Sequence, residues 1–326
     1  MIRPSRRAVI AGGASLLTCP PVAHAQAWPT AAITLVVPFP PGGSTDAVAR
    51  LAQAGLQQRL GVPVIVENKP GASGSIGAAL VSKAKGDGGT WLVVFDTHAV
   101  NQTLYPNLGF DTERDLDPVM LVGTAPNLVT TNPSKPYQTW VDVIAAAKTK
   151  PGGLNYGSIG TGSIGHLTMF QLSKRAGVPM THVPYRGGGP LMNDVLAGHI
   201  DIGIASAGQF APQIQAGTLR LLLQTGKERL PVFKDVPTAS ESGFAGFESL
   251  AWWGVFAPKG IPADVNQRFL TALTESLKDD KVTKQLSEVQ QIGVKLGGPD
   301  VLRPFLAEQI KTWGGVVAEA GIKPGN

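Results

Sequence analysis

Residues 37–46, Val-Pro-Phe-Pro-Pro-Gly-Gly-Ser-Thr-Asp, constrain the fold of this chain more than any other stretch. They follow an apolar run, 33–37, that reads as a buried strand. They precede Val48, Leu51, Ala52, Gly55, Leu56 and Leu60, which are spaced as one face of a helix. A strand, a glycine-rich turn and a helix start together make a small anion site. Glycine lets the backbone approach a ligand, and the free N–H groups of the first helical turn point at it.

A second segment repeats the logic. Tyr156 to His166 reads as a strand end, glycines with small hydroxyl residues, then a helix start. Gly160, Gly162 and Gly165 formally satisfy the dinucleotide-binding spacing. A nucleotide fold also needs an acid about 20 positions on to hold the ribose. That region here reads Pro184-Tyr185-Arg186-Gly187, with no acid before Asp194. A carboxylate site fits better. Amides at Gly42, Gly43 and Ser44 on one wall, and at Gly160, Thr161 and Gly162 on the other, would each take one end of a dianion. Hydrogen bonds to a charged group contribute about 1.5–3 kcal/mol each. Several of them, less desolvation and closure, reach the roughly 8 kcal/mol of micromolar binding. Asp46 reads as a first-turn acid that complements the helix dipole and stiffens the turn. Phe39 is either core or a wall of the pocket.

The rest of the chain alternates strand and helix. The first unit is strand 33–37, helix 46–60, strand 64–67, helix 75–85 and strand 91–95. Residues 101–135 are less regular, with short β-type runs at 119–122 and 128–131. The pattern then restarts: helix 140–148, strand 155–158, helix 164–176, strand 181–183, helix 191–197, strand 202–205, helix 209–216 and strand 219–225. A strand at 252–258 returns to the first unit, and mostly helical segments at 263–277, 282–289 and 299–319 cover it. This order predicts an α/β protein of two hinged domains with parallel sheets, a clamshell, with one large sheet carrying insertions as the alternative. Domain 1 comprises residues 26–125 plus 250–326, and domain 2 residues 126–249.

Residues 1–25 stand apart as an export signal. Arg3, Arg6 and Arg7 precede a short apolar segment, and Ala23-His24-Ala25 fits the cleavage rule, so the mature chain is expected to begin near Gln26 in the periplasm. Ser5-Arg6-Arg7 resembles a twin-arginine signal, and the general export route is the alternative. Cys19, the one cysteine, lies inside this segment. Thr18 before it departs from a lipoprotein box, which argues against a lipid anchor. The mature chain then has no thiol, hence no disulfide, cysteine metal site or thiol nucleophile.

The formal charge of +5 shrinks once the signal is set aside. Its three arginines and no acids leave 25 basic against 23 acidic residues. No basic cluster with interleaved aromatics occurs, so nucleic acid is not an expected partner. No nucleophile elbow, metal-spaced histidine pair or clustered acidic loop occurs, so neither catalysis nor a metal or other cofactor is expected. A hydrolase remains the less favoured alternative.

Together with the two turns, Val66 to Gly74, Val183-Pro184-Tyr185-Arg186-Gly187 and Trp252 to Pro258 resemble the Bug-type receptors, the periplasmic solute receptors of tripartite tricarboxylate transporters. The resemblance spans essentially the whole mature chain. It implies a two-domain periplasmic binding protein, a Venus flytrap with its ligand between the domains. It implies a small organic carboxylate as ligand, a membrane transporter of the tripartite type as partner, and a monomer. A sensing role, as an adaptor for a signalling receptor, is the alternative. It carries ligand contact to Phe39, Pro40, Gly42, Gly43, Ser44 and Asp46 in the first turn. In the second it carries contact to Ser158, Gly160, Thr161, Gly162 and Ser163, and it matches Asp201 to an acid that sits near the cleft and selects an amine in members that bind amino acids, a plain loop acid being the alternative. Gly86 to Thr90 lacks the tyrosine usual in the family, and Asp96-Thr97-His98-Ala99 replaces a more serine-rich stretch.

Overall fold

In the computed structural model of this protein, residues 28–105 and 107–323 are described. The export signal therefore lies outside the described residues.

The apolar run at the start forms strand β1 (Ile33–Val37), buried along almost its whole length. The turn after it leads into α1 (Ser44–Leu60), which ends where Gly61 adopts φ 72° and caps it. β2 (Val64–Asn68) and β3 (Thr90–Phe95) pair with β1 in parallel, with α2 (Ser75–Ser82) between them. After a short helical turn, α3 (Asn101–Leu104) completes this stretch.

The two short β-type runs of the sequence are one strand of 16 residues, β4 (Leu116–Thr131). Pro118, Gly123 and Pro126 hide it in the sequence, because proline lacks a ladder donor and glycine weakens strand pattern. Register shifts between Pro118 and Met120 and between Leu121 and Gly123 absorb the irregularity.

Beyond β4 come α4 (Trp140–Thr149), β5 (Asn155–Ser158), α5 (Ile164–Ala176), β6 (Thr181–Pro184), α6 (Gly188–Leu196), β7 (Ile202–Ser206), α7 (Ala207–Gln215) and β8 (Arg220–Gln224). β5 runs parallel to β6 and β7. The chain returns through β9 (Leu250–Pro258) to α8 (Ala263–Leu277), α9 (Asp280–Lys284) and a π-helical turn. β10 (Gly293–Gly297) and α10 (Pro299–Ala320) follow. β10 escaped the sequence reading, since its terminal glycines read as loop.

The strand order is β2-β1-β3-β9-β4-β7-β5-β6, with β8 and β10 also on β4. β4 ties the two halves together. Its residues Leu116–Pro126 pair with β9, and Asn127–Thr131 pair with β7 and β8. The crossing strands β4 and β9 run antiparallel to their neighbours, so the sheets are mixed rather than wholly parallel. The result is a mixed α/β fold of two halves joined through β4 and β9.

Buried polar groups join the crossings. The Asn127 amide donates to Thr225 Oγ1 at 2.9 Å, and the Ser249 amide donates to the Thr225 carbonyl at 2.9 Å. A buried hydroxyl pair, Thr168 and Ser249, ties α5 to the same knot. An apolar cluster closes the back. Val100 and Leu104 meet Ile164 and Leu167 of α5 and Trp313, Val316 and Val317 of α10.

Candidate functional site

The first glycine-rich turn is built around Asp46, whose side chain is almost fully buried. Gly42, at φ 84°, donates its N–H to Asp46 Oδ2 at 3.0 Å. Arg50 Nε reaches the same oxygen at 2.8 Å, and Asn68 Nδ2 reaches Oδ1 at 3.0 Å. Asn68 Nδ2 also lies 3.0 Å from the carbonyl of Phe39 and holds the other end of the turn. Burial disfavours the Asp46 charge, but the hydrogen bonds from Arg50, Gly42 and Asn68 outweigh it and hold the carboxyl below its ordinary range. Asp46 therefore stiffens the turn, and the Gly42 amide is committed to it. The amides of Gly43, Ser44 and Thr45 have no hydrogen-bond partner among the described residues. They are the unmatched donors of the α1 start.

The second turn rests on a buried polar cluster. Ser163 caps α5, its Oγ accepting from the His166 amide at 3.2 Å. Ser163 Oγ also donates to Ser158 Oγ at 3.1 Å, and Ser158 Oγ lies 2.8 Å from His182 Nε2. His166 Nδ1 accepts from the Gly162 amide at 3.0 Å, which leaves its proton on Nε2. The imidazoles of His166 and His182 stack at 3.6 Å, nearly parallel. Burial lowers His166 to about 4. Burial, helped by His166, lowers His182 to about 3. Both rings are neutral at ordinary pH.

Between the two strand sets lies a cleft of two joined compartments. The smaller, about 530 Å³ including space open to solvent, is bounded by Gly43, Ser44 and Thr45. Facing them are the starts of α6, at Gly187–Gly189, and of α7, at Ser206 and Gln209. The larger, about 1340 Å³ and partly continuous with solvent, is bounded by Gly71–Gly74, Tyr105, Gly160, Thr161 and Tyr185. Phe39, Pro40, Ile159, Arg186 and Gly187 line both. Phe39 is a wall, packed edge-on against Phe95 with centroids 6.2 Å apart.

The two sequence-predicted turns thus open on one cleft but not on one compartment. Phe39, Pro40, Gly43 and Ser44 line the smaller part, and Gly160 and Thr161 line the larger. Six of the expected residues, Gly42, Asp46, Ser158, Gly162, Ser163 and Asp201, line neither part. Ser158 and Ser163 are fully buried and brace the turn, and the Gly162 amide is taken by His166. Gly160 also turns its amide inward, 3.4 Å from Ser158 Oγ.

Asp201 lies elsewhere. It precedes β7, beside the N-terminal end of β5, whereas the cleft is at the C-terminal ends of these parallel strands. Its carboxylate accepts from the Asn155 amide at 3.0 Å and pairs with Lys135 at 3.2 Å. It is a structural acid that anchors two strand starts, so the expectation of an amine-selecting acid at the cleft fails for it.

The sequence reading missed Arg186, the α6 and α7 starts, Ser73 and Tyr105. The triplet Gly187-Gly188-Gly189 before a helix carried the same signal as the first two turns. Ser206 had no adjacent glycine to announce it.

Beneath the cleft, Asp96 is wholly buried. The amides of Ile164 and Thr97 are its nearest donors, yet neither reaches it in good geometry, and both carboxylate oxygens lack a hydrogen bond among the described residues. Burial pushes its carboxyl well above the ordinary range. No group of three or more His, Cys, Asp or Glu among the described residues is placed to hold a metal. No helix among them is long and apolar enough to cross a membrane.

Comparison with known proteins is consistent across sequence and fold. Residues 48–322 match the family described as Tripartite tricarboxylate transporter family receptor. The chain is 34% identical to BugT of Bordetella pertussis over 301 residues, covering 92% of each chain. It is 36% identical to a protein of Pseudomonas sp. strain P51, over 96% of this chain and 94% of the other. Rpa4515 of R. palustris, solved with adipate, superposes with a TM-score of 0.86 at 34% identity, covering 91% of this chain and 99% of that one. MatC of Rhodopseudomonas palustris, solved with bound malate, gives 0.83 at 31% identity, covering 89% and 100%. The chain belongs to the receptor family of the tripartite tricarboxylate transporters, and it is a periplasmic solute receptor rather than an enzyme.

Proposed function

We propose that this receptor binds a small organic carboxylate in the smaller compartment, on the amides at the start of α1, and closes over it. The observation that carries this reading is the set of unmatched N–H groups of Gly43, Ser44 and Thr45 opening into that compartment. A helix start favours an anion through both its donors and its dipole. The starts of α6 and α7 face the same space from the other strand set. Phe39 and Pro40 wall it, Gly160 and Thr161 bound its extension, and Gly42, Asp46, Ser158, Gly162 and Ser163 hold the two turns in shape. Adipate and malate in the related structures support a carboxylate.

In this reading the moving bodies are residues 26–125 with 250–326, and residues 126–249, hinged where β4 passes Pro126. The monomer in its closed form is presented to a tripartite membrane transporter. A ligand shifts that equilibrium only by its greater affinity for the closed state.

Thermal-shift measurements over a panel of carboxylates test the reading, paired with mass spectrometry of each compound after incubation. A receptor melts higher with its ligand and returns it chemically unchanged. Stabilisation by no carboxylate at millimolar concentration would overturn it.

A further inference from the structure

Among the described residues, Arg186 is the only charged side chain lining either compartment, and it lines both. It stands on the turn between β6 and α6, exposed and, among the described residues, without a hydrogen bond or ion pair. The nearest acid in sequence is already occupied. Asp194 accepts from Tyr185 Oη at 2.7 Å and pairs with His199 at 3.1 Å. Asp46 and Asp201, the other acids considered for the cleft, are bound into structural networks.

We propose that Arg186 is the specificity-determining residue of this receptor, and that it selects a linear dicarboxylate without an amino group. The assignment rests on the carboxylate reading above. With one carboxylate on the α1 start, a chain leaving the smaller compartment must pass the wall that Arg186 shares with the larger one. A guanidinium presents a planar fork of donors that matches a second carboxylate in a bidentate pair. Uncharged walls of Phe39, Pro40 and Ile159 suit the methylene chain between. An ammonium on that chain would meet the like charge of Arg186 and no protein carboxylate lining the compartments to balance it, and like-charge juxtaposition is disfavoured.

Titration calorimetry with adipate, hexanoate and 2-aminoadipate tests this on the wild type and on Arg186→Gln and Arg186→Lys. These probes keep six carbons and change one charge at a time. The wild type should bind adipate at least about 10-fold more tightly than either other compound. Arg186→Gln should lose about 10- to 100-fold for adipate while hexanoate affinity stays within about twofold. Arg186→Lys should recover part of the loss. Circular dichroism and the melting temperature of the unliganded variants should match the wild type, since the side chain is exposed. Adipate affinity unchanged in Arg186→Gln, or an equal loss for hexanoate, overturns the assignment and leaves the carboxylate reading standing. A wild type that binds none of the three, or any other carboxylate of a panel, overturns both.

Discussion

Ser73 Oγ donates a 2.9 Å hydrogen bond to the Thr161 carbonyl, and that bond spans the cleft from the α2 side to the second glycine-rich turn. Ser73 belongs to a run of four residues with positive φ. Gly71 and Gly74 tolerate this, but Ala72 at 46° and Ser73 at 52° do so at a cost. The strained run places the hydroxyl where the opposite turn can be gripped. Replacing Ser73 by Ala keeps the backbone and removes the grip. The unliganded variant should be more open, with a larger radius of gyration in small-angle scattering. Ligand affinity should fall about 2- to 10-fold, the value of one hydrogen bond. An unchanged scattering profile would show that the bond does not bias closure.

The start of α1 can be tested one donor at a time. Gly43 has φ −80°, which proline accepts, and a Cβ there would meet only the Pro40 carbonyl, at 3.8 Å. Gly43→Pro removes an unmatched N–H with little steric change, and Gly43→Ala keeps it. Ligand affinity should fall 10-fold or more in the proline variant and change little in the alanine variant, while both melt near the wild type. Equal affinities measured by calorimetry would remove Gly43 from the site.

The stacked histidines give a stability that depends on pH. His166 and His182 are held at about 4 and about 3 in the fold, below the roughly 6.5 of an unfolded chain. The unfolded state binds more protons between those values, so stability is complete above about pH 6.5 and declines as pH falls toward 4 and then 3. Protonation of His166 also removes the Nδ1 acceptor of the Gly162 amide, which loosens the second turn. Denaturant unfolding from pH 7.5 to pH 4.5 should show this slope in the wild type. In a His166→Gln, His182→Gln double variant the slope should be shallower.

Asp96 has the opposite sign. Its folded-state carboxyl is pushed up, so its proton is retained in the native state over a pH range where the unfolded chain has lost it. Its contribution is present below the unfolded value of about 3.9 and is lost as pH rises through the folded value. Asp96→Asn is uncharged at every pH and escapes that loss. Its melting temperature relative to the wild type should rise as pH climbs above the unfolded value of about 3.9, with near parity at the acid end. A difference independent of pH would mean that Asp96 is paired in solution.

Local pattern was enough to read most elements of this fold. β1, β5, α5 and α8 have the limits that hydrophobic period and turn residues predict, because each is specified by residues adjacent in sequence. The long β4 was not legible, since its prolines and Gly123 break the local pattern and only pairing with β9, β7, β8 and β10 sustains it. The same division runs through the site. Both glycine-rich turns were visible as strand–turn–helix units, each a local feature. Which of their amides remain free was not visible. Asp46 claims Gly42 and His166 claims Gly162 through side-chain geometry that spacing does not encode. Asp201 looked like a cleft acid until the direction of β5 and β7 put it at the far end of the strands. The sequence by itself determined the family, the alternation of strand and helix and the two anion-binding turns. Only the folded structure decided which donors face the cleft, because side-chain conformations four residues along the chain claim the others, and only tertiary packing of segments far apart in the chain brought Arg186 to its dividing wall.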